Sequence, residues 1–244
     1  MDNIKLNALC VRSTDYSESD KIITLISAER GKIGVYARGV KKPSAKLKFA
    51  AAPFCFGEYM LAQGKGGGFI LADCAEGESF FGLSSDIARY YAGFTVLEAA
   101  DKLSNEIPNV PLLKAALTAL TSLSYGGGEA KTLLRFITDV LAASGYLLNF
   151  DACAVCGGEL SAHAYFDFSA GAVCGECRPK DGLTISRGAL AALKEVCSAH
   201  GVVAGSVDGA CDAEALELAL MIMYGLTGVK LLSASEYLRL RNSD

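Results

Sequence analysis

Apolar and polar positions in the first eighty or so residues follow the short, irregular alternation of strands. Ile4 to Val11 alternates loosely, Ile22 to Ile26 is a compact apolar run, and Ile33 to Ala37 follows an Arg-Gly-Lys turn. Phe54 to Leu61 and Phe69 to Leu71 flank a glycine-rich tip, Gly64-Lys65-Gly66-Gly67-Gly68. β-Branched and aromatic residues between Gly, Pro and Asp punctuation predict about five strands. That number suits a small closed barrel, of which the OB-fold is a common nucleic-acid-binding example. The pattern alone does not separate it from an SH3-like barrel.

Near Ser84 the period changes. Ser84-Ser85-Asp86 reads as an N-cap, and Ile87, Tyr90, Tyr91, Phe94 and Leu97 then recur at helical spacing. Pro108 and Pro111 open a second helix through Leu123, which Gly126-Gly127-Gly128 ends. A third helix is predicted from Glu129 to about Ser144, with Leu133, Phe136, Ile137, Val140 and Leu141 on one face and Gly145 as its stop. After an interruption at 151–182, helices resume over Ser186 to His200 and Asp212 to Leu226. The latter is apolar nearly all round, which predicts burial at the centre of a bundle. Ala234 to Arg241 adds a turn or two of helix. There is no internal repeat and no low-complexity linker.

The chain has 244 residues, about half of them hydrophobic and a fifth charged, an ordinary globular composition. No segment reaches about 18 uninterrupted apolar residues, so no membrane span is expected. MDNIKLNALC lacks a basic region followed by an apolar one, and a cytoplasmic location is expected.

Nine cysteines sharpen the picture. Cys10, Cys55, Cys74, Cys197 and Cys211 are scattered among apolar residues and read as buried small hydrophobes. The other four form two pairs, Cys153-Ala-Val-Cys156 and Cys174-Gly-Glu-Cys177, separated by seventeen residues. This is the spacing of a structural zinc site, in which each C-x2-C knuckle turns two thiolates to one side and two knuckles complete a tetrahedron. Gly157, Gly158 and Gly175 fall where the knuckles turn. Ala164 to Phe168 reads as a strand, and Ser169-Ala170-Gly171 as its hairpin turn, which is the layout of a zinc ribbon. One structural Zn2+ per chain is expected, with no open coordination position. Two disulfides or a redox C-x2-C are the alternatives, and His163, between the knuckles, reads as an exposed loop residue.

The formal net charge of −4 argues against nucleic acid until its distribution is considered. Residues 1–50 hold ten Lys/Arg and five Asp/Glu, and between Arg30 and Lys48 no acidic residue occurs. Phosphate affinity follows local potential, because screening acts over about 8 Å at physiological salt. DNA is therefore expected on a barrel face carrying Arg12, Arg30, Lys32, Arg38, Lys41, Lys42, Lys46 and Lys48. The stretch Arg38-Gly-Val-Lys41-Lys42-Pro43 reads as a mobile loop that wraps phosphates. Tyr36 and Tyr59 are conceivable stacking residues, but an aromatic on a barrel strand more often faces the core, and neither is assigned to the site.

Three stretches together resemble the RecO family. They are Arg12 to Leu25, with its Tyr, Glu-Ser-Asp and apolar strand; Arg30 to Pro43, a basic strand and loop; and Tyr146 to Gly157, leading into the zinc module. The resemblance implies an α+β, multi-domain protein: an N-terminal OB-fold barrel (residues 1–82), a C-terminal α-helical bundle (83–150 and 181–244) and an inserted four-cysteine zinc ribbon (151–180). It further implies a nucleoid-associated, non-enzymatic DNA repair and recombination mediator. Such a protein binds single- and double-stranded DNA, anneals complementary strands, pairs with RecR, contacts the tail of single-strand binding protein (SSB) and helps load RecA. A groove on the helical domain, with a basic rim drawn from Arg135, Lys194, Arg239 and Arg241, is expected for the acidic, aromatic-containing SSB tail.

Enzyme motifs are lacking. Gly64-Lys65-Gly66 is no phosphate loop, because Lys65 is not followed by Ser or Thr. His163 and His200 sit in no hydrolase or metalloprotease context. Asp15, Glu18 and Asp20 could bind a metal, as a small nuclease would require, but read better as residues that orient the loop before Ile22. A zinc-ribbon/OB factor associated with transcription or translation is the alternative function.

Overall fold

Five N-terminal strands bury one side of their alternating pattern against each other. In the computed structural model, which describes residues 3–64, 66–161, 164–198 and 208–241, these are β1 (Asn3–Asp15), β2 (Lys21–Ser27), β3 (Gly31–Ala37), β4 (Cys55–Gln63) and β5 (Phe69–Ser79). They close a barrel in the order β1-β2-β3-β5-β4. Every joint is antiparallel except the short parallel one between β3 and β5, where only Val35↔Phe69 and Tyr36↔Ile70 pair. This order is that of an OB-fold rather than an SH3-like barrel. Leu6, Ala8, Cys10, Ile23, Leu25, Val35, Tyr59 and Leu61 fill the interior. Register shifts at Cys10/Arg12 in β1 and opposite Met60/Leu61 in β5 supply the bends that a small barrel needs to close.

The loose alternation of Ile4 to Val11 has a physical cause. Leu9 and Val11, on the outward side of β1, are also buried, because α1 (Ile87–Leu103) packs on β1 and β2. A strand covered on both faces reads as nearly continuous apolar sequence. β5 runs past the predicted Leu71 to Ser79, paired with β4 along its length. Its polar half hid it from hydropathy.

Phe54 joins barrel and helix. It is the one non-glycine residue with positive φ among those described, at 74°, and it is buried. Its amide donates to the Cys10 carbonyl and its carbonyl accepts from the Phe80 amide. Its ring meets Phe94 edge-on at 4.9 Å. Gly93 leaves the necessary space, since a Cβ there would lie 2.8 Å from the Phe54 ring.

The chain divides into two compact units, Met1–Leu117 and Thr118–Asp244, with α2 (Val110–Ser124) running across the division. The second unit holds α3 (Glu129–Ala143), then the ribbon strands β6 (Ala164–Asp167), β7 (Gly171–Cys174) and β8 (Leu183–Ile185), then α4 (Arg187–Ser198), α5 (Asp212–Thr227) and α6 (Leu232–Arg241). Side-chain caps match the predicted starts at Asp86, which accepts from the Arg89 amide at 2.9 Å, and at Ser186, which accepts from Ala189 at 3.1 Å. The second helix starts later than Pro108, because Asn109 caps it through the Leu112 amide at 3.0 Å. The N-terminus of α3 is capped from far along the chain: the Asp208 carboxylate accepts from the amides of Ala130 and Lys131 at 3.1 and 3.0 Å. α5 is central, packing on α3 and α4, but it is not buried all round, since Met221 and Tyr224 are half exposed. Cys10, Cys55 and Cys74 are buried as expected, whereas Cys197 and Cys211 are only partly so. No helix among the described residues is long and apolar enough to cross a membrane.

Candidate nucleic-acid face and metal centre

The structure divides the eight predicted cations into two groups. Arg12 and Lys32 both reach Asp101 on α1, at 3.1 and 2.8 Å, and Lys32 also donates to the Asp101 carbonyl at 2.6 Å. Lys41 donates to Asp15 at 2.7 Å and to the Ser17 carbonyl at 3.3 Å. These three are engaged by carboxylates of their own domain. Arg30, Arg38, Lys42, Lys46 and Lys48 are exposed and have no ion-pair partner among the described residues.

Lys42, Lys46 and Lys48 lie on the turn-rich connection from β3 to β4, which is not the mobile loop its Gly and Pro suggest. Val40, Ala50 and Ala51 insert into the barrel core, and Leu47 and Phe49 pack against it. The Ala51 carbonyl accepts from Ser13 Oγ at 2.7 Å and that of Ala50 from Tyr59 Oη at 2.9 Å. With its apolar residues turned inward, the segment projects Lys42, Lys46 and Lys48 into solvent. Its start is pinned by the β1–β2 loop. The Asp20 carboxylate accepts from Tyr36 Oη and from the Gly39 amide at 2.7 Å, and the Lys41 amide donates to the Ser19 carbonyl at 3.0 Å. The Tyr36 hydroxyl, followed by the Gly39 amide, holds the Asp20 carboxyl well below the usual carboxylate range. Asp15 and Asp20 are thus loop anchors, engaged with Lys41, Tyr36 and Gly39.

Tyr59 is fully buried, but Tyr36 faces outward. Strand parity carries this signal: Val35 and Ala37 point inward, so Tyr36 between them points out. Beside it lie Ile22, its register partner on β2, and the Tyr16 ring, edge-on at 5.5 Å. Phe69 stands at the β3–β5 joint with the Arg30 guanidinium 5.6 Å from its ring. Together with Gly34 and Gly68 these residues line a cleft of about 550 Å3. Charge counting found none of Tyr16, Ile22 and Phe69.

In the second unit, Cys153, Cys156, Cys174 and Cys177 bring their four Sγ atoms within 4.8 Å of one another, and this is the one such cluster of potential metal ligands among the described residues. The knuckles form as the spacing predicts. Gly157, with φ +72°, turns back to give its amide to the Cys153 carbonyl at 2.9 Å, and the Cys153 amide donates to Gly158 at 2.8 Å. The thiols are unbonded, and Cys156 and Cys174 are 3.7 Å apart. A disulfide would require roughly 2.05 Å, whereas a tetrahedron with Zn–S near 2.3 Å has edges of roughly 3.8 Å. The backbone amides of Cys156 and Cys174 lower the Cys153 thiol to about 6. The neighbouring thiols, Cys156 first, push Cys177 up to about 12. Four thiols so close together could ionise together only with a cation between them, and the cluster fits a metal ion. Hairpin geometry follows the sequence: Asp167 accepts from the amides of Ser169 and Ala170 at 2.7 and 2.9 Å, and β6 pairs with both β7 and β8. Lys65, His163 and His200 lie outside the described residues.

The helical unit carries an apolar groove of about 510 Å3 between α5 and α6, lined by Leu220, Met221, Tyr224, Leu231, Leu238 and Lys230 among others. The predicted basic rim does not assemble around it. Arg135 is buried against Asp139. Arg241 is held by Asp208 at 2.5 Å. Lys194 is half-buried on α4. Arg239 is exposed and pairs with Glu236 at 2.7 Å. The cation that lines the groove is Lys230, which sequence reasoning passed over.

An OB-fold barrel, a helical region and a four-cysteine cluster set between helices define an OB-fold protein with a four-cysteine ribbon able to hold a metal ion. The family profile for the N-terminal part of Recombination protein O matches residues 1–74, and that for its C-terminal part matches residues 84–200. The chain is 31% identical over 199 residues to the DNA repair protein RecO of Anaeromyxobacter sp. (strain K), covering 79% of this chain and 78% of that protein. It is 31% identical over 197 residues to the protein of that name from Clostridium perfringens (strain 13 / Type A), covering 78% of each. With that of Shouchella clausii (strain KSM-K16) the identity is 33% over 183 residues, or 72% of this chain and 70% of the relative. The chain belongs to the RecO family of DNA repair proteins.

Proposed function

We propose that this protein is a recombination mediator that gathers DNA strands on its barrel by electrostatics and lets them anneal, without covalent chemistry. One observation carries the reading: Arg30, Arg38, Lys42, Lys46 and Lys48 stand exposed on a single domain with no acidic partner among the described residues. Such charges lower the repulsion between two phosphate backbones, and the core-anchored segment between β3 and β4 holds three of them outward. They serve single- and double-stranded DNA alike, since phosphate contacts carry no sequence information.

In this reading the four cysteines hold Zn2+, whose closed S4 sphere supplies shape rather than reactivity. The α5–α6 groove receives the C-terminal tail of SSB, its apolar wall taking aromatic side chains and Lys230 facing acidic ones. Pairing with RecR and assistance to RecA loading complete the role, at the nucleoid in the cytoplasm. Family membership displaces a transcription or translation factor as the alternative.

The test mixes labelled complementary oligonucleotides with the protein in the absence of nucleotide, with and without Mg2+. Faster duplex formation with intact strands in both conditions is expected. Unchanged annealing, or cleavage on addition of Mg2+, would overturn the proposal.

A further inference from the structure

The cleft beside Tyr36 has features that phosphate binding does not require. Tyr16 is 64% exposed and Ile22 39%. The two tyrosines meet edge-on, an arrangement that leaves ring faces open. Exposed aromatic and apolar side chains gathered on one surface mark an interaction site. Cations without acidic partners among the described residues flank this one: Arg30 beside Phe69, and Arg38 two residues beyond Tyr36. The Asp20 carboxylate binds the Tyr36 hydroxyl, which fixes the ring by its edge. Gly34 stands in the lining, and a Cβ added there would meet nothing within 4 Å. The cleft is therefore open where a side chain would ordinarily project.

We infer that this cleft receives unpaired bases, stacked on Tyr16 and Tyr36 between Arg30 and Arg38, so that the barrel distinguishes a single strand from a duplex. The inference rests on the proposal that the barrel binds DNA, and adds a division of labour to it. Aromatic faces stack on any base, but a base inside a duplex already has its neighbours and cannot be reached. The cations hold the phosphates of substrate and product alike, whereas the tyrosines hold the substrate only. When two strands pair, their bases leave the cleft, and the product is retained by charge alone.

The test compares three labelled probes by fluorescence anisotropy: oligothymidylate, an abasic oligomer of equal length with the same phosphates, and a blunt duplex. Stacking of one base corresponds to roughly a five- to hundredfold gain in affinity, so oligothymidylate is expected to bind at least about fivefold tighter than the abasic strand. Tyr16→Ala, and Gly34→Leu, which fills the cleft without touching the core, should each pull oligothymidylate toward the abasic level. Duplex affinity should stay unchanged. Tyr16→Phe keeps the ring and should keep the preference. Equal, salt-sensitive binding of oligothymidylate and abasic strand by the wild-type protein would overturn the stacking inference and leave the charge reading standing. Failure to bind any of the three would overturn both.

Discussion

The barrel closes strands of 7 to 13 residues around an apolar interior. The ribbon holds strands of 4, 4 and 3 residues, and a sheet of that size is marginal without other support. In the barrel, Tyr59, Leu61, Ile23 and Leu25 are removed from water entirely, and burial of that kind is the main stabilising term of a fold. In the ribbon, four thiols gather at one end, and their mutual repulsion when ionised is relieved by a cation. The difference teaches where each region is vulnerable: the barrel to a cavity and, on the proposal that its thiols hold Zn2+, the ribbon to a chelator.

The largest effect should therefore come from the metal. Binding of a structural zinc is worth roughly 10 kcal/mol or more in small zinc modules. Chelation, or Cys153→Ser with Cys174→Ser, is expected to expose residues 153–183 to limited proteolysis while the barrel stays resistant. A ribbon that remains protected after metal analysis shows it empty would break the comparison. Next comes Phe54→Ala, which removes a buried aromatic and should cost about 3–5 kcal/mol, read as a lowered denaturation midpoint with metal content unchanged. An equal loss of metal would mean that the two regions are not independent.

A smaller effect is expected at Asp20. Its folded-state carboxyl lies below the ordinary value of about 3.9, chiefly because Tyr36 donates to it. The anion's contribution is then complete above that ordinary value and is lost as pH falls through the lower folded one. Asp20→Asn should reduce thermal stability at neutral pH, and the gap to the wild type should close in acid below about pH 4. A gap that stays constant into acid would show that the Asp20 charge does not pin the loop.

Much of this architecture was legible before the structure. The cysteine spacing located the four-thiol cluster, and parity and period placed the strands and most helix starts. What escaped depends on contacts between residues distant in sequence. Charge counting treated eight cations alike, but Asp101, more than fifty residues away, occupies Arg12 and Lys32. Gly39 and Pro43 suggested mobility, yet Val40, Ala50 and Ala51 tie that segment into the core. The cap on α3 comes from Asp208, which no local motif could announce. The apolar circumference of α5 predicted full burial, and instead Met221 and Tyr224 open a groove. Tyr36 could have been assigned by parity from Val35 and Ala37, but Tyr16 lies in a loop, where no periodicity applies.

The central claim is that the barrel cations without a carboxylate partner among the described residues hold DNA. The most direct test is the affinity for a single strand as a function of salt, because each phosphate contact contributes roughly −0.7 to the slope of log K against log salt. Five contacts give a slope of about −3.5, and the Lys42→Ala, Lys46→Ala, Lys48→Ala triple variant should retain about −1.4. A variant with the wild-type slope and affinity would contradict the account.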